Sequence, residues 1–300
     1  MSAELGPQYV ADPPFRARMR RHQSRWRAEV LGLPYGTGPT RTSTAHYGNM
    51  LTTPEAERGA NFLTPQILDV VRRRLAEGPG VERFRCLHDL LSSQAMCCNL
   101  LGPLVDDPAL AARLLGALLP GVVAVDELRI EWAPEPRNDY LSDRTAFDAF
   151  ARLRRADGTT VVLGVETTLS EAFSPLVTNL ERYMAVAASM PAVWRVDRLG
   201  ELGDPRWFQL LREHLLVELV AARTGAEAWL AVVGHTEDPD LWPAVAAYRH
   251  VLVDRGPRLL SWPLDAVVST WGQVVDRNDD ATARWLDAFT RRYVDLPPGP

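Results

Sequence analysis

Lysine is absent from this chain: all 33 basic residues among its 300 are arginine. That excludes an intact P-loop, which needs a lysine after its second glycine to reach the phosphates. Cysteine is scarce. Cys86, Cys97 and Cys98 supply no disulfide framework and lack the paired spacing of a zinc site. They read as buried thiols of a reducing compartment. No run approaches the roughly 18 apolar residues of a membrane span, and the N-terminus has no apolar segment of signal-peptide type. A cytoplasmic location is expected by elimination. There is no Gly-x-Ser-x-Gly elbow, so serine-hydrolase chemistry has no motif support. His22, His46, His88, His214, His235 and His250 lie far apart and form no His-x-x-x-His pair, so each reads as structural or exposed.

What remains is the composition of an ordinary globular protein, 46% hydrophobic and 24% charged. Its length can bury the core of one large domain or two smaller ones. A net charge of −5 argues against a histone-like polycation. It leaves room for an enzyme acting on nucleic acid, which needs only a local basic groove.

Residues 1–15 are proline-rich and read as loose. Residues 16–31 carry Arg16, Arg18, Arg20, Arg21, Arg25 and Arg27, a basic helix that either contacts phosphates or presents a solvated face. Residues 33–63 read as an extended, irregular arm. Thr64-Pro65 opens a helix to about Arg74, whose Arg72-Arg73-Arg74 run is expected to face solvent. A longer helix is expected from Val81 to Leu101, ending at Gly102-Pro103, and another from Asp107-Pro108 to Pro120-Gly121. The pattern then changes to period two. Val123, Val125, Leu128, Ile130 and Trp132 mark a first strand. Residues 145–154 and 159–169 form a hairpin about Asp157-Gly158. Helices follow at about 176–190 and 205–222, then a strand at Trp229–Val233 of the kind buried on both faces. The remainder reads as a helix (239–252), a short strand (258–262) and helices at 263–275 and 279–292. This order gives an α/β chain with a mixed central sheet flanked by helices. Three segments are expected: an arm with the basic helix (1–63), a core (64–235) and an α/β extension (236–300).

The chemistry concentrates in Arg144-Thr145-Ala146-Phe147-Asp148 and Gly164-Val165-Glu166-Thr167-Thr168. Strand side chains alternate, so Glu166 and Thr168 share a face. The hairpin register sets Asp148 opposite residues 166–168. Two carboxylates brought together this way repel unless a cation lies between them. Mg²⁺ fits, because it takes one or two carboxylates and retains waters. Glu166 follows the apolar run Val161–Val165, where an unpartnered carboxylate is costly to bury. Glu131, near the end of the first strand, reads as a solvated strand-end charge, with a third carboxylate as the alternative. Ser92-Ser93-Gln94 interrupts an apolar helix and needs partners, either the sheet or a substrate.

The Asp…Glu-x-Lys logic and the element order resemble the PD-(D/E)xK nuclease superfamily. More narrowly, Leu91–Leu104, Asp143–Phe150 and Gly164-Val165-Glu166, with Gly59–Pro65 upstream, resemble a bacterial group of restriction-endonuclease-like proteins. The resemblance covers roughly residues 45–235. It implies a restriction-endonuclease-like core with helical extensions, Asp148 and Glu166 as ligands of one or two Mg²⁺ (or Mn²⁺) ions, and DNA as the substrate, in restriction or defence. A second copy of the chain is an admissible partner. Ser93 and Gln94 would lie on the helix beside the site, and Arg144 within its strand motif. Thr168 stands at the position of the catalytic lysine, which in such sites offsets developing phosphate charge. Arg182 and Arg152 are substitutes on spacing alone, able to stabilise charge but not to act as a base. Three readings follow: a working nuclease, a catalytically silent relative used for nucleic-acid binding or assembly, and a helical scaffold in which the acidic pair is accidental.

Overall fold

The computed structural model describes residues 4–171, 173–174, 176–276 and 279–297. Its centre is a five-stranded sheet built from β3 (Val122–Trp132), β4 (Phe147–Arg155), β5 (Thr160–Thr167), β6 (Glu227–Gly234) and β7 (Leu259–Pro263), in that spatial order. β3, β4 and β5 pair antiparallel, whereas β5–β6 and β6–β7 are parallel. Each parallel step needs a crossover. The first contains α7 (Leu180–Ala188) and α8 (Phe208–Thr224), and the second contains α9 (Leu241–Arg249). The Asp157-Gly158 turn joins β4 to β5, with Gly158 at a φ of +85°, where a residue without Cβ is unstrained.

Helices cover both faces. One face of the sheet packs with α3 (Pro65–Ala76), α5 (Ser93–Val105), α6 (Pro108–Leu118), α10 (Leu264–Val274) and α11 (Asp280–Tyr293) into a single apolar core. The other face packs with α7, α8 and α9. β5 and β6 therefore read as near-continuous apolar runs, as a strand buried on both sides must.

The ends of the chain close on each other. α1 (Pro14–Arg25) runs into a π-helical turn at Trp26–Val30. Gln23 on α1 exchanges hydrogen bonds with Arg292 on α11: its amide donates to the Arg292 carbonyl at 2.9 Å, and its Oε1 accepts from Nε at 3.1 Å. Arg292 is fully buried and also donates to the Asn61 carbonyl at 2.8 Å. Of the stretch expected to be loose, residues 1–3 lie outside the described residues, and Pro14 and Phe15 already belong to α1. Residues 277–278 and 298–300 of the expected C-terminal segment also lie outside them.

Three expectations need correction. The arm at 33–63 contains a two-stranded antiparallel sheet, β1 (Tyr35–Thr37) with β2 (His46–Leu51), and α2 (Thr53–Arg58). The helix expected over 81–101 is two helices, α4 (Arg83–His88) and α5. Asp89 leaves the helix to bridge Met50, and the Leu90 amide donates to the Asn49 carbonyl at 3.0 Å. Ser92 then caps α5, its hydroxyl accepting the Ala95 amide at 3.4 Å. α5 also runs through Gly102-Pro103 to Val105. A proline inside a helix leaves the carbonyl four residues earlier without its donor. Here that carbonyl is Asn99's, and the Trp285 indole donates to it at 2.8 Å.

The arginine-rich segments are also less solvated than expected. Arg27 is buried and donates to the Gly48 carbonyl at 2.7 Å, Arg20 pairs with Asp12, and Arg18 pairs with Glu237. Arg74 turns inward from its run, donating to the Ile130 carbonyl at 3.1 Å and to the Glu131 carbonyl at 2.8 Å.

Cys86, Cys97 and Cys98 are buried in the α5 layer. Burial pushes the Cys97 thiol well up, and the Cys86 thiol, with burial, does the same to Cys98. Because the thiolate is the reactive form, Cys97 and Cys98 are expected to react slowly with a disulfide reagent in native buffer and fully in denaturant. Rapid native labelling of Cys97 or Cys98 would show that α5 is not core.

Candidate metal and catalytic site

The register of the sheet sets three carboxylates in a row. Ile130 pairs with Ala149 and Trp132 with Phe147, which puts Glu131 opposite Asp148. Ala149 pairs with Val165, and the next step along both strands puts Asp148 opposite Glu166. Glu131 is buried, contrary to the solvated reading. It takes a φ of +52°, a conformation that costs a non-glycine residue on the order of 1–3 kcal/mol. The structural effect is visible in its neighbours. Ile130 belongs to the α5-side core, whereas Trp132, two residues on, stacks on Phe150 on the α8 side at 3.9 Å between ring centroids. The left-handed residue reverses the strand's alternation, and the Arg74 guanidinium holds its carbonyl.

The carboxylates find their partners in different layers. Asp148, half-buried, accepts the Thr167 amide at 2.8 Å and the Thr167 hydroxyl at 2.6 Å. Glu131 accepts the Gln94 amide at 2.7 Å, while Gln94 Oε1 accepts the Glu82 amide at 3.0 Å. Ser93 contributes its carbonyl, 3.4 Å from the Thr167 hydroxyl. Glu166 instead turns to α8, where Gln209 donates to its Oε1 at 2.5 Å. Glu213, one turn further along α8, bears on Glu166 electrostatically.

Burial raises the pKa of all four groups. Glu131 and Glu166 stand well above the usual carboxylate range, for burial first and then for the charge of Asp148. Asp148 is raised by burial against the lowering effect of Thr167. Glu213 is raised to about 8 by burial and then by Asp148. Such a set ionises at neutral pH only if a cation joins it.

Thr168 is buried, and its hydroxyl donates to the Glu171 carbonyl at 2.8 Å, closing the turn after β5. Glu171 accepts the Leu169 and Ser170 amides at 3.3 and 3.1 Å and pairs with Arg85 at 3.0 Å. The two arginines selected on spacing are engaged elsewhere. Arg152 pairs with Glu127 at 3.7 Å, and Arg182 donates to the Tyr140 carbonyl and Ser142 hydroxyl at 3.2 and 3.0 Å. Arg144 is exposed. The arginine whose charge acts on Glu213 is Arg212.

A model of the PD-(D/E)XK nuclease superfamily matches residues 10–295. The chain belongs to that superfamily. No curated protein matches the chain, and no solved structure does. The mixed sheet flanked by helices is the restriction-endonuclease-like core, and helices extend it at both ends. Among the described residues, no helix is long and apolar enough to cross a membrane.

PD-(D/E)XK nucleases usually use Mg²⁺ or Mn²⁺. The donors present here are carboxylate oxygens in a dry, mutually repelling row, and Glu213 Oε2 is buried with no hydrogen-bond partner. That donor set fits a hard divalent cation. Among the described residues, no three His, Cys, Asp or Glu side chains converge closely enough to enclose an ion by themselves. An ion here would rest on one or two carboxylates and complete its shell with water and phosphate oxygens, as Mg²⁺ commonly does.

Gln209, Glu213, Arg85 and Arg212 were not singled out by sequence reasoning. Gln209 and Glu213 did leave a signal. They are polar positions four apart, hence on one face, in a helix that also carries Leu210, Leu211, Leu215 and Leu216.

The pKa shifts predict how stability without divalent ions depends on pH. Glu213, raised from its usual 4.5 to about 8, and Glu218, raised from 4.5 to about 7, are both raised chiefly by burial. Each adds stability that is full below the unfolded value and lost as pH climbs through the folded one. His214, buried and lowered from 6.5 to about 3, gains stability over that interval and contributes no change above it. In chelator, the calorimetric melting temperature is therefore expected to fall between pH 6.5 and about 8. Mn²⁺ is expected to reverse most of that fall.

Proposed function

We propose that this chain is a divalent-ion-dependent nuclease acting on DNA, with Asp148 and Glu166 holding the ion. The observation that supports it is the cross-strand row of Glu131, Asp148 and Glu166 at one end of the sheet, with Glu131 and Glu166 buried, Asp148 half-buried, and all three raised in pKa. When bound, such an ion polarises a phosphodiester and lowers the pKa of its water. The protein's own part is positional. Thr167 fixes Asp148 through its amide and hydroxyl, Gln209 fixes one oxygen of Glu166, and Gln94 fixes Glu131. A role in restriction or defence agrees with such chemistry.

One observation favours the second reading, a silent member that binds nucleic acid. The Thr168 hydroxyl is committed to a turn, and the partners of Arg152 and Arg182 lie outside the acidic row. No lysine charge opposes the scissile phosphate. Losing one such electrostatic contact costs on the order of 10²–10³ in rate, so wild-type cleavage should be slow.

The test is cleavage of single-stranded, linear duplex and supercoiled DNA with Mg²⁺ and Mn²⁺. Asp148→Asn should remove cutting while leaving the fold intact by circular dichroism. Thr168→Lys puts an amine on the strand face of Glu166 and should raise cutting by about 10-fold or more if charge is what is missing. If neither wild type nor Thr168→Lys cuts any DNA form, the catalytic reading gives way to the silent one.

A further inference from the structure

We infer that one side of α1 is a DNA-backbone contact, with Arg21 and Arg25 binding phosphates of a strand led toward the acidic row. The inference rests on DNA as the partner of that row and adds the surface that holds it. Arg18, Arg21 and Arg25 recur at intervals of three and four residues, which sets them along one side of the helix. Met19 and Gln23 bury another side in the protein. From Arg18 to Arg25 the stripe is roughly 10 Å long, the span of about two or three phosphates of one duplex strand. These arginines line a groove of about 1100 Å³ that also takes in Ser170 and Glu171, in the turn that follows Glu166 and β5. Arg16 ties α1 to that turn, donating to the Ser170 carbonyl at 3.2 Å.

The acids of the groove are mostly answered from within. Asp12 pairs with Arg16 at 3.2 Å and with Arg20, Glu237 pairs with Arg18, and Glu171 pairs with Arg85. Asp238 is buried at the start of α9, where it accepts the Asp240 and Leu241 amides, both at 3.0 Å. Arg21 is exposed and Arg25 half-buried, and neither side chain has a hydrogen bond or ion pair among the described residues. Asp240 is the acid left over, so the unpaired guanidinium groups outnumber the unpaired carboxylates. Gln8 Oε1, Arg18 Nε and Ser170 Oγ, all from residues lining the groove, are buried without a partner. Unsatisfied polar groups gathered around one groove call for a polar occupant. Arginine forks match phosphate oxygens, and a stripe of them along an open groove fits an extended polyanion better than one small anion.

The test is binding of fluorescein-labelled duplex and single-stranded DNA by the full chain, read by anisotropy in chelator and in Ca²⁺ over a range of salt. Wild type, Arg21→Gln, Arg25→Gln, the double variant and Arg154→Gln are compared, with thermal melts of each. Arg154→Gln is the control, because Arg154 is exposed at the hairpin end of β4, away from Asp148, and its loss changes the net charge equally. Each groove variant should weaken binding by about 5–10-fold at about 0.1 M salt and reduce the salt slope by about one. The loss should be the same for every DNA sequence, with the melting temperature of Arg21→Gln unchanged. If wild type binds DNA and Arg21→Gln and the double variant keep its affinity and slope, the inference is overturned and the nuclease reading stands. An equal loss in Arg154→Gln would assign the effect to net charge and overturn it as well. If wild type binds no DNA in either buffer, both the inference and the reading beneath it fall.

Discussion

The constraint on which this structure turns is the cost of ionising several carboxyl groups in a place that water barely reaches. β5 is buried on both faces, and its end carries Glu166, whose pKa both Asp148 and Glu213 raise. Burial raises them all, and the charge of Asp148 raises Glu131, Glu166 and Glu213 further. A fold that only needed stability would fill these positions with apolar side chains, since replacing buried ionisable groups by packed hydrophobic ones is often neutral or favourable. The neighbouring polar residues do not neutralise the row. Thr167, Gln94 and Gln209 each give hydrogen bonds without charge, which orients the oxygens and leaves their charge to be met from outside.

The surroundings hold the row rigidly. β3 would ordinarily keep its alternation to the end, but the left-handed Glu131 breaks it, and Arg74 clamps the carbonyl that results. On the other side, α5 presents Ser93 and Gln94 at its first turn because Asp89 ends α4 and Ser92 restarts the helix. The middle of α5 is tied to α11 through the Asn99 carbonyl and Trp285. The C-terminal helix thus secures the element whose N-terminus touches the acidic row. Strained backbone held by surrounding structure is common at functional sites.

Much of this is legible in the sequence because it depends on local pattern. The period-two run, the Asp-Gly turn and the apolar strand at Trp229–Val233 are short-range signals, and they locate β3, the β4–β5 hairpin and β6. The pairing of Asp148 with Glu166 follows from hairpin register alone. The rest depends on contacts between distant segments. The break between α4 and α5 arises from Asp89 bridging Met50, 39 residues earlier. The burial of Glu131 depends on Gln94 and on a backbone conformation that no residue type announces. Glu213 acts on Glu166 from the crossover helix α8. The arginines show the same limit. Arg27 and Arg292 look like surface charges in sequence, yet both are buried on backbone carbonyls from other segments.

The missing lysine is best understood through charge. In a site of this kind a lysine would add a positive charge beside two acidic ligands. This chain has none to place there, and two arginines close to the row already have tasks: Arg85 braces Glu171 at the turn after β5, and Arg74 braces the end of β3. Arginine is a fork of donors suited to such bracing and unable to release a proton at neutral pH. The acidic excess around Glu166 is therefore larger than two ligands and a lysine would leave. A divalent ion offsets two negative charges, and the remaining carboxyls stay neutral or call for further cation. In the proposed nuclease, metal affinity and phosphate affinity would be opposed in a way a lysine would relieve, because every carboxylate that strengthens the hold on the ion would also repel the backbone of a nucleic acid.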